Sequence, residues 1–379
     1  MKIGVLGTRG IPNAYGGFEQ FAEHLALGLV RKGHDVWVYN SSDHPYQQDK
    51  WNDIRIVHCK DLESSIGTAG QFVYDFNCLR DARKRRYDVL LQLGYTSNSI
   101  WHSWWPNNCP NIINMDGLEW RRSKYNKWTQ RFLKRAEGWA AKYADILIAD
   151  SIGIQEHLLR EYRKASIYIP YGADIFESPD MSRLSGLGIA PKCYFLLIAR
   201  MEPENNVELI LRGYLQSSQP CPIVLIGSVK NKFGKYLRER YVSPNIRFVG
   251  AVYDSDMINN VRYFSSLYFH GHSVGGTNPS LLEAMACQCN IAAHENIFNK
   301  NILTNSAYYF STENDIVRII AEQRDEETMT QRKESNLDKI RNTFNWNNII
   351  DEYEKVFLDF SNQSLHTKTI NAGKSINPI

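Results

Sequence analysis

The residues best suited to chemistry lie in a glycine-rich segment at 270–286, with the sequence HGHSVGGTNPSLLEAMA. Asn278 is a favoured N-cap residue and Pro279 suits the first position of a helix, so the segment predicts a loop that enters a helix. The N–H groups at such a helix start bind phosphate. The predicted contacts are Gly276, Thr277 and Asn278. One turn further on, the carboxylate of Glu283 can accept hydrogen bonds from the vicinal hydroxyls of a ribose. In the alternative interpretation the loop is only a cap and Glu283 a solvated acid of the first turn; the combination favours a nucleotide site.

A second glycine-rich loop follows the first predicted strand, with the sequence GTRGIPNAYGGFE at residues 7–19. Its first glycines have the spacing GxxG, whereas a dinucleotide-binding fingerprint has GxGxxG. The next predicted strand ends at Asn40, where an NAD enzyme needs an acid for the ribose hydroxyls, so an oxidoreductase is disfavoured. Gly16 and Gly17 stand where a helix begins, and they let backbone N–H groups approach an anionic donor. The alternative is a turn that needs glycine only for its positive φ.

Metal binding finds little support in the sequence. Asp254 and Asp256 form a DxD pair, but they follow a predicted strand and open a helix, where aspartate is an ordinary capping residue. The seven cysteines include no CxxC pair of the kind found in zinc ribbons or thiol redox sites. We therefore predict reduced thiols and no metal.

A basic stretch at residues 120–135, WRRSKYNKWTQRFLKR, carries seven cations and no acid, with aromatic residues between them. It suits a membrane interface or a lipid-linked diphosphate. A solvated helix face with Trp128 and Phe132 in the core is an equal alternative. Single-stranded nucleic acid binding also combines cations with aromatics, but the net charge of +3 gives no further support, and no nucleic-acid partner is expected. Either sugar stacking or core packing would explain Trp101, Trp104 and Trp105.

The elements that must position these residues alternate between short apolar runs and helical patterns, which predicts an α/β fold with parallel sheets. With 379 residues, 43% hydrophobic and 22% charged, the chain has globular composition and room for two or three domains. The predicted strands are 2–7, 36–39, 54–58, 89–92, 112–114, 146–149 and 166–169, then 194–198, 223–226, 246–249, 267–269 and 290–293. The predicted helices are 18–32, 70–86, 126–143 and 151–163, then 205–217, 230–241, 254–264 and 279–287.

Turn residues at 170–180 interrupt this alternation, so we place the boundary between two doubly wound domains there. The predicted domains, residues 1–173 and 174–344, face each other across a cleft that suits a ligand, and residues 362–379 form a flexible tail. The N-terminus lacks the apolar middle of a signal peptide, and no run approaches the roughly 18 apolar residues of a membrane span. We expect a cytoplasmic protein. Peripheral contact with the inner face of the cell membrane stays an open alternative.

Taken together, the motifs resemble those of retaining glycosyltransferases of family 4, which have the GT-B fold. The resemblance covers nearly the whole chain: the paired glycines near the N-terminus, IPYGAD at 169–174, ARMEPEN at 199–205, FVGAV at 248–252 and PSLLEAMA at 279–286. Three further motifs resemble those of a bacterial rhamnosyltransferase-like branch of this family: GTRGIP at 7–12, MDGLEW at 115–120 and HSVGGTNP at 272–279. The resemblance implies two Rossmann-like domains, the first on the acceptor side and the second binding the nucleotide sugar. It allows a C-terminal helix near residues 345–361 to pack back on the first domain.

The resemblance implies transfer of a sugar with retention of configuration, without a metal or a cofactor. The expected donor is a dTDP- or UDP-linked sugar, above all dTDP-rhamnose, and the acceptor is lipid-linked or a saccharide in bacterial surface polysaccharide synthesis. Arg200 would be the catalytic cation at the diphosphate, and Glu283 the ribose ligand. Asp116 stands where relatives more often have histidine, and an acid there can position the acceptor hydroxyl or support positive charge on the sugar. The remaining predicted contacts are Gly250 and Val252 for the donor and Tyr95, Glu119 and Arg121 for the acceptor.

Two positions depart from the family pattern. Gly275 stands where the family usually has a glutamate that touches the transferred sugar, and Asn205 stands where it usually has a diphosphate-binding lysine. Both departures also occur in the rhamnosyltransferase-like branch, which favours a subfamily over an inactive enzyme. They keep open a non-catalytic nucleotide-sugar-binding protein, which donor-dependent product formation would distinguish from an enzyme.

Overall fold

The computed structural model describes residues 1–14, 16–322 and 325–373, and the chain divides into two compact units. The first unit comprises Met1–Trp120, Trp128–Pro170 and the chain from Trp346 on. The second comprises Arg121–Lys127 and Tyr171–Asn345. The sequence predicts a boundary at residue 173, whereas the main part of the second unit begins at Tyr171. It gives no sign that Arg121–Lys127 belongs with the second unit.

The first unit is built on a sheet with the strand order β3-β4-β2-β1-β5-β6-β7-β8. Its strands are β1 (Lys2–Leu6), β2 (Asp35–Ser41), β3 (Lys50–Trp51), β4 (Ile54–Cys59), β5 (Val89–Leu93), β6 (Asn111–Asn114), β7 (Ile146–Ala149) and β8 (Ile167–Tyr168). Neighbouring strands are parallel apart from the β3–β4 pair. Every residue of β5 and β6 is buried, as expected for the apolar runs of a parallel sheet covered on both faces.

The second unit has a parallel sheet with the order β11-β10-β9-β12-β13-β14. Its strands are β9 (Phe195–Ile198), β10 (Ile223–Ile226), β11 (Ile246–Gly250), β12 (Leu267–His270), β13 (Ile291–His294) and β14 (Tyr308–Phe310). Phe195, Leu197, Leu225 and Phe269 from the three central strands share one apolar core with Ile210 and Ile316 from the helices.

The helices of the described residues follow the strands in the alternation that the sequence predicts. They are α1 (Gly17–Arg31), α2 (Glu63–Ile66), α3 (Gly70–Arg85), α4 (Lys127–Tyr143), α5 (Ile152–Tyr162), α6 (Val207–Gln216), α7 (Lys232–Arg240), α8 (Ser255–Tyr263), α9 (Pro279–Ala286), α10 (Ile297–Leu303), α11 (Glu313–Glu322), α12 (Glu326–Asn342) and α13 (Trp346–Gly373). Short 3₁₀ turns occur at Gly67–Ala69, Ser99–Trp104, Glu119–Arg121, Met181–Leu187 and Pro203–Asn205. Within residues 1–14, 16–322 and 325–373, no helix has the length and apolar character needed to cross a bilayer.

The α/β fold with two doubly wound parallel sheets is confirmed, and each strand and helix predicted from the apolar pattern is present with its ends shifted by at most two residues. The helix that the resemblance implies near residues 345–361 begins at Trp346 and continues to Gly373. The elements that the prediction omits are β3, β14, α2, α10, α11 and α12. Two of these are very short, and α12 is strongly polar with few apolar positions to reveal its period.

Helix α13 belongs to the first unit and lies against α1. The Phe21 ring lies 5.3 Å from that of Tyr353, and Asn114 donates to the Tyr353 hydroxyl at 2.8 Å. Gly28 makes this close approach possible, because a Cβ there would lie 2.3 Å from the Ile350 side chain. The predicted flexible tail starts inside this helix, which runs on to Gly373; residues 374–379 lie outside the described residues. A polar segment without proline can extend an established helix, because propagation is far easier than nucleation.

Candidate functional site

The second sheet reverses its strand order at β9, which has β10 on one side and β12 on the other. Ligands of open parallel sheets bind outside the carboxyl ends of the strands at such a reversal. The loops that leave β9 and β12, residues 199–206 and 271–278, are two of the segments that the sequence assigns to the donor. They touch directly, because a Cβ at Gly271 would lie 2.0 Å from the carbonyl oxygen of Asn205. The fold therefore brings together two predicted donor segments that are distant in sequence.

The loop after β12 enters α9 as its residue types predict. Asn278 is the N-cap, and its Oδ1 accepts a hydrogen bond from the Ser280 N–H at 2.9 Å. Pro279 occupies the first turn, so the predicted helix start is confirmed. Thr277 is buried and Gly276 is half-buried. Phosphate contacts of this loop stay a prediction.

Glu283 is held by a buried arginine that the sequence does not reveal. The Glu283 Oε2 accepts a hydrogen bond of 2.5 Å from Nη2 of Arg262, whose side chain is buried. Arg262 also donates to Ser280 Oγ at 3.2 Å and to Asn259 Oδ1 at 3.1 Å. Burial alone would lower the pKa of Arg262, but the Glu283 charge outweighs it and raises that pKa. The Glu283 side chain stays 27% exposed. Its carboxylate is therefore held by Arg262 on one side and still reaches solvent.

Arg200 and Asn205 play different parts in the loop after β9. The Arg200 side chain is exposed, as a diphosphate-binding cation requires. Asn205 is buried, and its side-chain amide donates to the Arg200 carbonyl oxygen at 2.7 Å. Asn205 therefore braces the backbone of Arg200.

Glu204 connects this loop to two other parts of the second unit. Its buried carboxylate accepts a hydrogen bond from Ser123 Oγ at 2.9 Å and lies 3.9 Å from the Arg122 guanidinium. Its carbonyl oxygen accepts from the Ser273 N–H at 3.1 Å and from the Ser273 hydroxyl at 2.8 Å. Arg122 thus lies next to the loops at β9 and β12, whereas Arg121 and Lys124 are exposed to solvent.

His272 adds a neutral imidazole beside these cations. Its ring stacks on that of His270 with 4.5 Å between the ring centroids. Burial, with the positive charges of Arg200 and Arg122, lowers the pKa of His272 to about 3. Its carbonyl oxygen accepts hydrogen bonds from the side chains of Asn296 and Asn299, at 3.0 and 3.1 Å. The loop is therefore held from both sides, and the positive charges of Arg200 and Arg122 lie near it.

Two glycines of the second unit have backbone conformations that suit no other residue well. Gly275 has a φ of +134° and Gly250 a φ of +90°, and an added Cβ would meet no atom within 4 Å at either position. Replacing Gly275 by another residue would therefore strain the backbone, although there is space for the side chain. Gly250 ends β11, where its carbonyl oxygen accepts from the Gly227 N–H at 2.8 Å. Val252 follows it and is half-buried. No described contact tests Gly250 or Val252 as donor contacts.

In the first unit, Gly16 and Gly17 form the start of α1. Gly16 is the N-cap, with extended backbone at φ −172° and no side-chain cap. Gly17 is the first residue of the helix. Gly7 and Gly10 do have positive φ, but close packing also requires glycine there, because an added Cβ would lie 2.3 Å from the Leu93 carbonyl oxygen or 2.4 Å from the Asn40 side chain. Positive φ does not explain Gly16 and Gly17. An anion contact at Gly16 and Gly17 stays a prediction.

The absence of a dinucleotide-type acid after β2 has a structural explanation. The Asn40 side chain accepts from the Ile11 N–H at 3.0 Å and donates to the Ile11 carbonyl oxygen at 2.7 Å. Asn40 thus clamps the loop after β1 from within the protein. Asp254 has an equally local role, because its Oδ1 caps α8 by accepting from the Met257 N–H at 3.0 Å.

Asp116 follows β6 and is half-buried, so it stands at the carboxyl edge of the first sheet. Tyr95, which the sequence assigns to acceptor binding, is only 1% exposed. Its hydroxyl accepts from the Glu119 N–H at 3.2 Å and lies 3.2 Å from the Gly117 carbonyl oxygen. Tyr95 therefore supports this loop from below instead of presenting a surface to an acceptor. Glu119 is half-buried and Arg121 is exposed; acceptor binding by these two stays a prediction.

The architecture of the chain is that of the GT-B glycosyltransferases. Sucrose-phosphate synthase from Thermosynechococcus elongatus has 15% identity and a TM-score of 0.74, covering 94% of this chain and 98% of that chain. Anabaena HepE, solved with UDP and glucose, has 16% identity and a TM-score of 0.74 over 95% of this chain and 100% of that chain. A glycosyltransferase from Rickettsia africae ESF-5 has 13% identity and a TM-score of 0.69, covering 95% and 98%. At these identities the likeness defines the fold.

A family model described as a domain of unknown function, DUF1972, matches residues 108–174. The matched part contains Asp116, Glu119 and Arg121, together with the whole basic stretch at 120–135. No curated protein sequence matches the chain significantly.

Proposed function

We propose that the chain is a retaining, metal-independent glycosyltransferase that belongs to the rhamnosyltransferase-like branch of family 4. It transfers rhamnose from dTDP-rhamnose to a lipid-linked or saccharide acceptor in bacterial surface polysaccharide synthesis. It works in the cytoplasm, at the inner face of the cell membrane. The fold supports a nucleotide-sugar donor, because Anabaena HepE, with the same architecture, was solved with UDP-glucose at 14% identity.

One observation carries the proposal: the second sheet reverses its order where an exposed arginine, a glycine-rich helix start and an anchored carboxylate converge. Arg200 is close enough to His272 for its charge to lower the pKa of that histidine. The loop from His272 leads into the start of α9, and Glu283 lies one turn inside the helix. This order suits a nucleoside diphosphate, with cation and helix N–H groups at the phosphates and carboxylate at the ribose.

In this proposal the departing nucleoside diphosphate carries the charge that catalysis must stabilise. Arg200 and the N-terminus of α9 are held by the fold of one unit before reaction, so they stabilise that charge without reorganising. Gly16, Gly17, Gly250 and Val252 complete the donor contacts. Asp116 positions the acceptor hydroxyl or supports positive charge on the sugar, with Glu119 and Arg121 at the acceptor.

A second candidate, a nucleotide-sugar-binding protein without turnover, is favoured by two specific observations. Gly275 has a backbone conformation that excludes a glutamate without strain, and Asn205 uses its side chain inside the protein. Neither residue can replace the contact that a family member usually makes there. Binding of a nucleotide sugar without product would support this candidate.

The test is a panel of nucleotide sugars that includes dTDP-rhamnose, UDP-glucose and UDP-galactose, each with lipid-linked and soluble acceptors. We expect acceptor-dependent release of dTDP from dTDP-rhamnose, with the anomeric configuration of the product retained. The control pair is Arg200→Ala against Arg238→Ala, an exposed arginine on α7 of the same unit. Release from UDP sugars alone would reject the rhamnose donor, and tight binding without release would reject the enzyme.

Peripheral membrane contact is part of the proposal, and the basic stretch supports it. Trp128 is 77% exposed, so the alternative that places it in the core is wrong for this residue, whereas Phe132 is half-buried and packs against Phe72 and Trp139. Arg121, Lys124 and Lys127 are exposed as well. Each cation near an anionic surface contributes about 1 kcal/mol, and salt screens this attraction.

Co-sedimentation with phosphatidylglycerol vesicles tests this contact. We expect binding at low ionic strength, release at high salt, and loss of binding when Arg121, Lys124 and Lys127 are changed to glutamine. Arg122 is left intact because it lies against Glu204. The matched control changes three exposed cations of α7 to glutamine: Lys232, Lys235 and Arg238. Equal loss of vesicle binding in both variants would show a general effect of charge. Equal binding by the parent and the first variant would show that the basic stretch does not contact the membrane.

A further inference from the structure

Glu137 on α4 is a buried carboxylate, 2% exposed, that accepts hydrogen bonds from several elements of the first unit. Its Oε1 is approached by His157 Nε2 at 2.8 Å, Tyr162 Oη at 2.7 Å and Lys134 Nζ at 3.1 Å. Its Oε2 is approached by Trp120 Nε1 at 2.9 Å and Tyr95 Oη at 3.4 Å. Burial alone would raise the pKa of Glu137, but the hydrogen bonds of His157 and Tyr162 and nearby positive charge lower it. The group is therefore an ionised acceptor surrounded by donors.

The two carboxylate oxygens serve different parts of the structure. The Oε1 side contacts α5, through His157 and Tyr162, and Lys134 of its own helix. The Oε2 side contacts residues that form or hold the segment 116–120, which follows β6. Trp120 belongs to that segment. The Tyr95 hydroxyl accepts from the Glu119 N–H, and its single proton is shared between the Gly117 carbonyl oxygen at 3.2 Å and Glu137 Oε2 at 3.4 Å. Glu137 thereby links α4 and α5 to the segment that carries Asp116.

A purely structural role is the simplest alternative, but the chemistry of the group argues against it. A buried ion with its partners is often no more stabilising than apolar residues of similar volume. What a fully bonded carboxylate does supply is a fixed geometry for the groups that donate to it. Here the geometry extends through Tyr95 to backbone atoms beside Asp116 and Glu119.

We propose that Glu137, acting through Tyr95 and Trp120, is a positioning residue that fixes the segment 116–120 for the acceptor. Only the kinetic effect of this inference rests on the proposed function. The order of the segment 116–120 can be measured without enzyme activity. Glu137, Trp120, Lys134, His157 and Tyr162 all lie in the part of the chain that the family model matches, residues 108–174.

The experiment compares Tyr95→Phe with Tyr162→Phe. Each removes one hydroxyl from Glu137, but only the Tyr95 hydroxyl also bonds the segment 116–120. In hydrogen exchange followed by mass spectrometry, we expect peptides that contain Glu119 to exchange about fivefold faster in Tyr95→Phe, as suits the loss of a single net hydrogen bond. They should be unchanged in Tyr162→Phe. Trp120→Phe, which removes the other donor to Oε2, should act in the same direction as Tyr95→Phe.

The kinetic readout uses the donor that the panel identifies. We expect Tyr95→Phe to lower kcat/KM for the acceptor by about tenfold or more while nucleotide affinity stays within twofold, and Tyr162→Phe to stay close to the parent. Faster exchange in an inactive protein would uphold the positioning role while the proposed function fails. Unchanged exchange in Tyr95→Phe, or equal effects of both tyrosine variants, would overturn the inference.

Discussion

Replacing Glu283 by glutamine should weaken both the second unit and its affinity for nucleotide. The change keeps the shape of the side chain but removes the charge opposite Arg262, whose guanidinium is buried and donates at 2.5 Å. A glutamine oxygen can still accept that hydrogen bond, so the loss is that of charge. The guanidinium then stays buried with only neutral acceptors.

The magnitude follows from the burial of the two partners. Removing one partner of a fully buried ion pair costs about 3–5 kcal/mol. Glu283 is 27% exposed and the hydrogen bond survives, so we expect a loss of about 2 kcal/mol in the free energy of unfolding. Nucleoside diphosphate affinity should fall by at least about tenfold, because charge-assisted bonds to the ribose become neutral ones.

The assay has to report on the second unit. All nine tryptophans lie in the first unit, so tryptophan fluorescence follows only that unit and should not change. Native-state hydrogen exchange of peptides from α9 measures the local loss, and calorimetric titration with dTDP and UDP measures affinity. The matched control is Asp338→Asn, which neutralises one partner of an exposed pair with Arg341 and should change stability by less than about 1 kcal/mol.

Two results would refute this reasoning in different ways. Slower or unchanged exchange in α9 would show that Arg262 does not depend on the Glu283 charge. Faster exchange with unchanged nucleotide affinity would make Glu283 a structural partner of Arg262 and remove it from the ribose site.

Three further predictions concern the donor, the metal and pH. Arg200→Ala should lower kcat/KM at least about 100-fold in a steady-state assay, because a cation at the leaving diphosphate is lost. The free energy of unfolding should change by less than about 0.5 kcal/mol, because the side chain is exposed. Activity should survive EDTA, and Asp254→Ala should cost only about 1 kcal/mol of helix capping in a denaturation curve; loss of activity restored by Mg²⁺ would contradict this. Burial raises the pKa of Asp75 to about 7, so the first unit should lose stability as pH rises from about 4 to about 7. Urea titrations followed by tryptophan fluorescence should show a smaller loss in Asp75→Asn, and parallel curves would contradict the shift.

The sequence predicts those features that depend on neighbouring residues. The apolar runs give the strands, and Asn278 with Pro279 gives the start of α9, because capping is decided within one turn of the helix. The donor roles of Arg200 and Glu283 stay predictions. Long-range pairs are different, because no local pattern shows which elements meet.

Arg262 and Glu137 illustrate what stays hidden. The sequence pattern alone would predict a solvated Arg262 on α8. Only the packing of α8 beside α9 buries it against Glu283. Glu137 is the one acid in a basic helix, and its donors come from four different parts of the first unit. The burial of Tyr95 is hidden for the same reason, because it depends on packing between distant segments.

The conformation of Gly275 limits what protein engineering can do at this loop. A designer who wished to install a glutamate at this position would find ample space for its side chain, since an added Cβ meets no atom within 4 Å. The obstacle is the φ of +134°, which L-residues with a Cβ rarely adopt. A point substitution would force the peptide to rotate and would disturb the adjoining entry into α9. The practical unit of exchange between relatives is therefore the complete loop 271–278, grafted together with its helix cap.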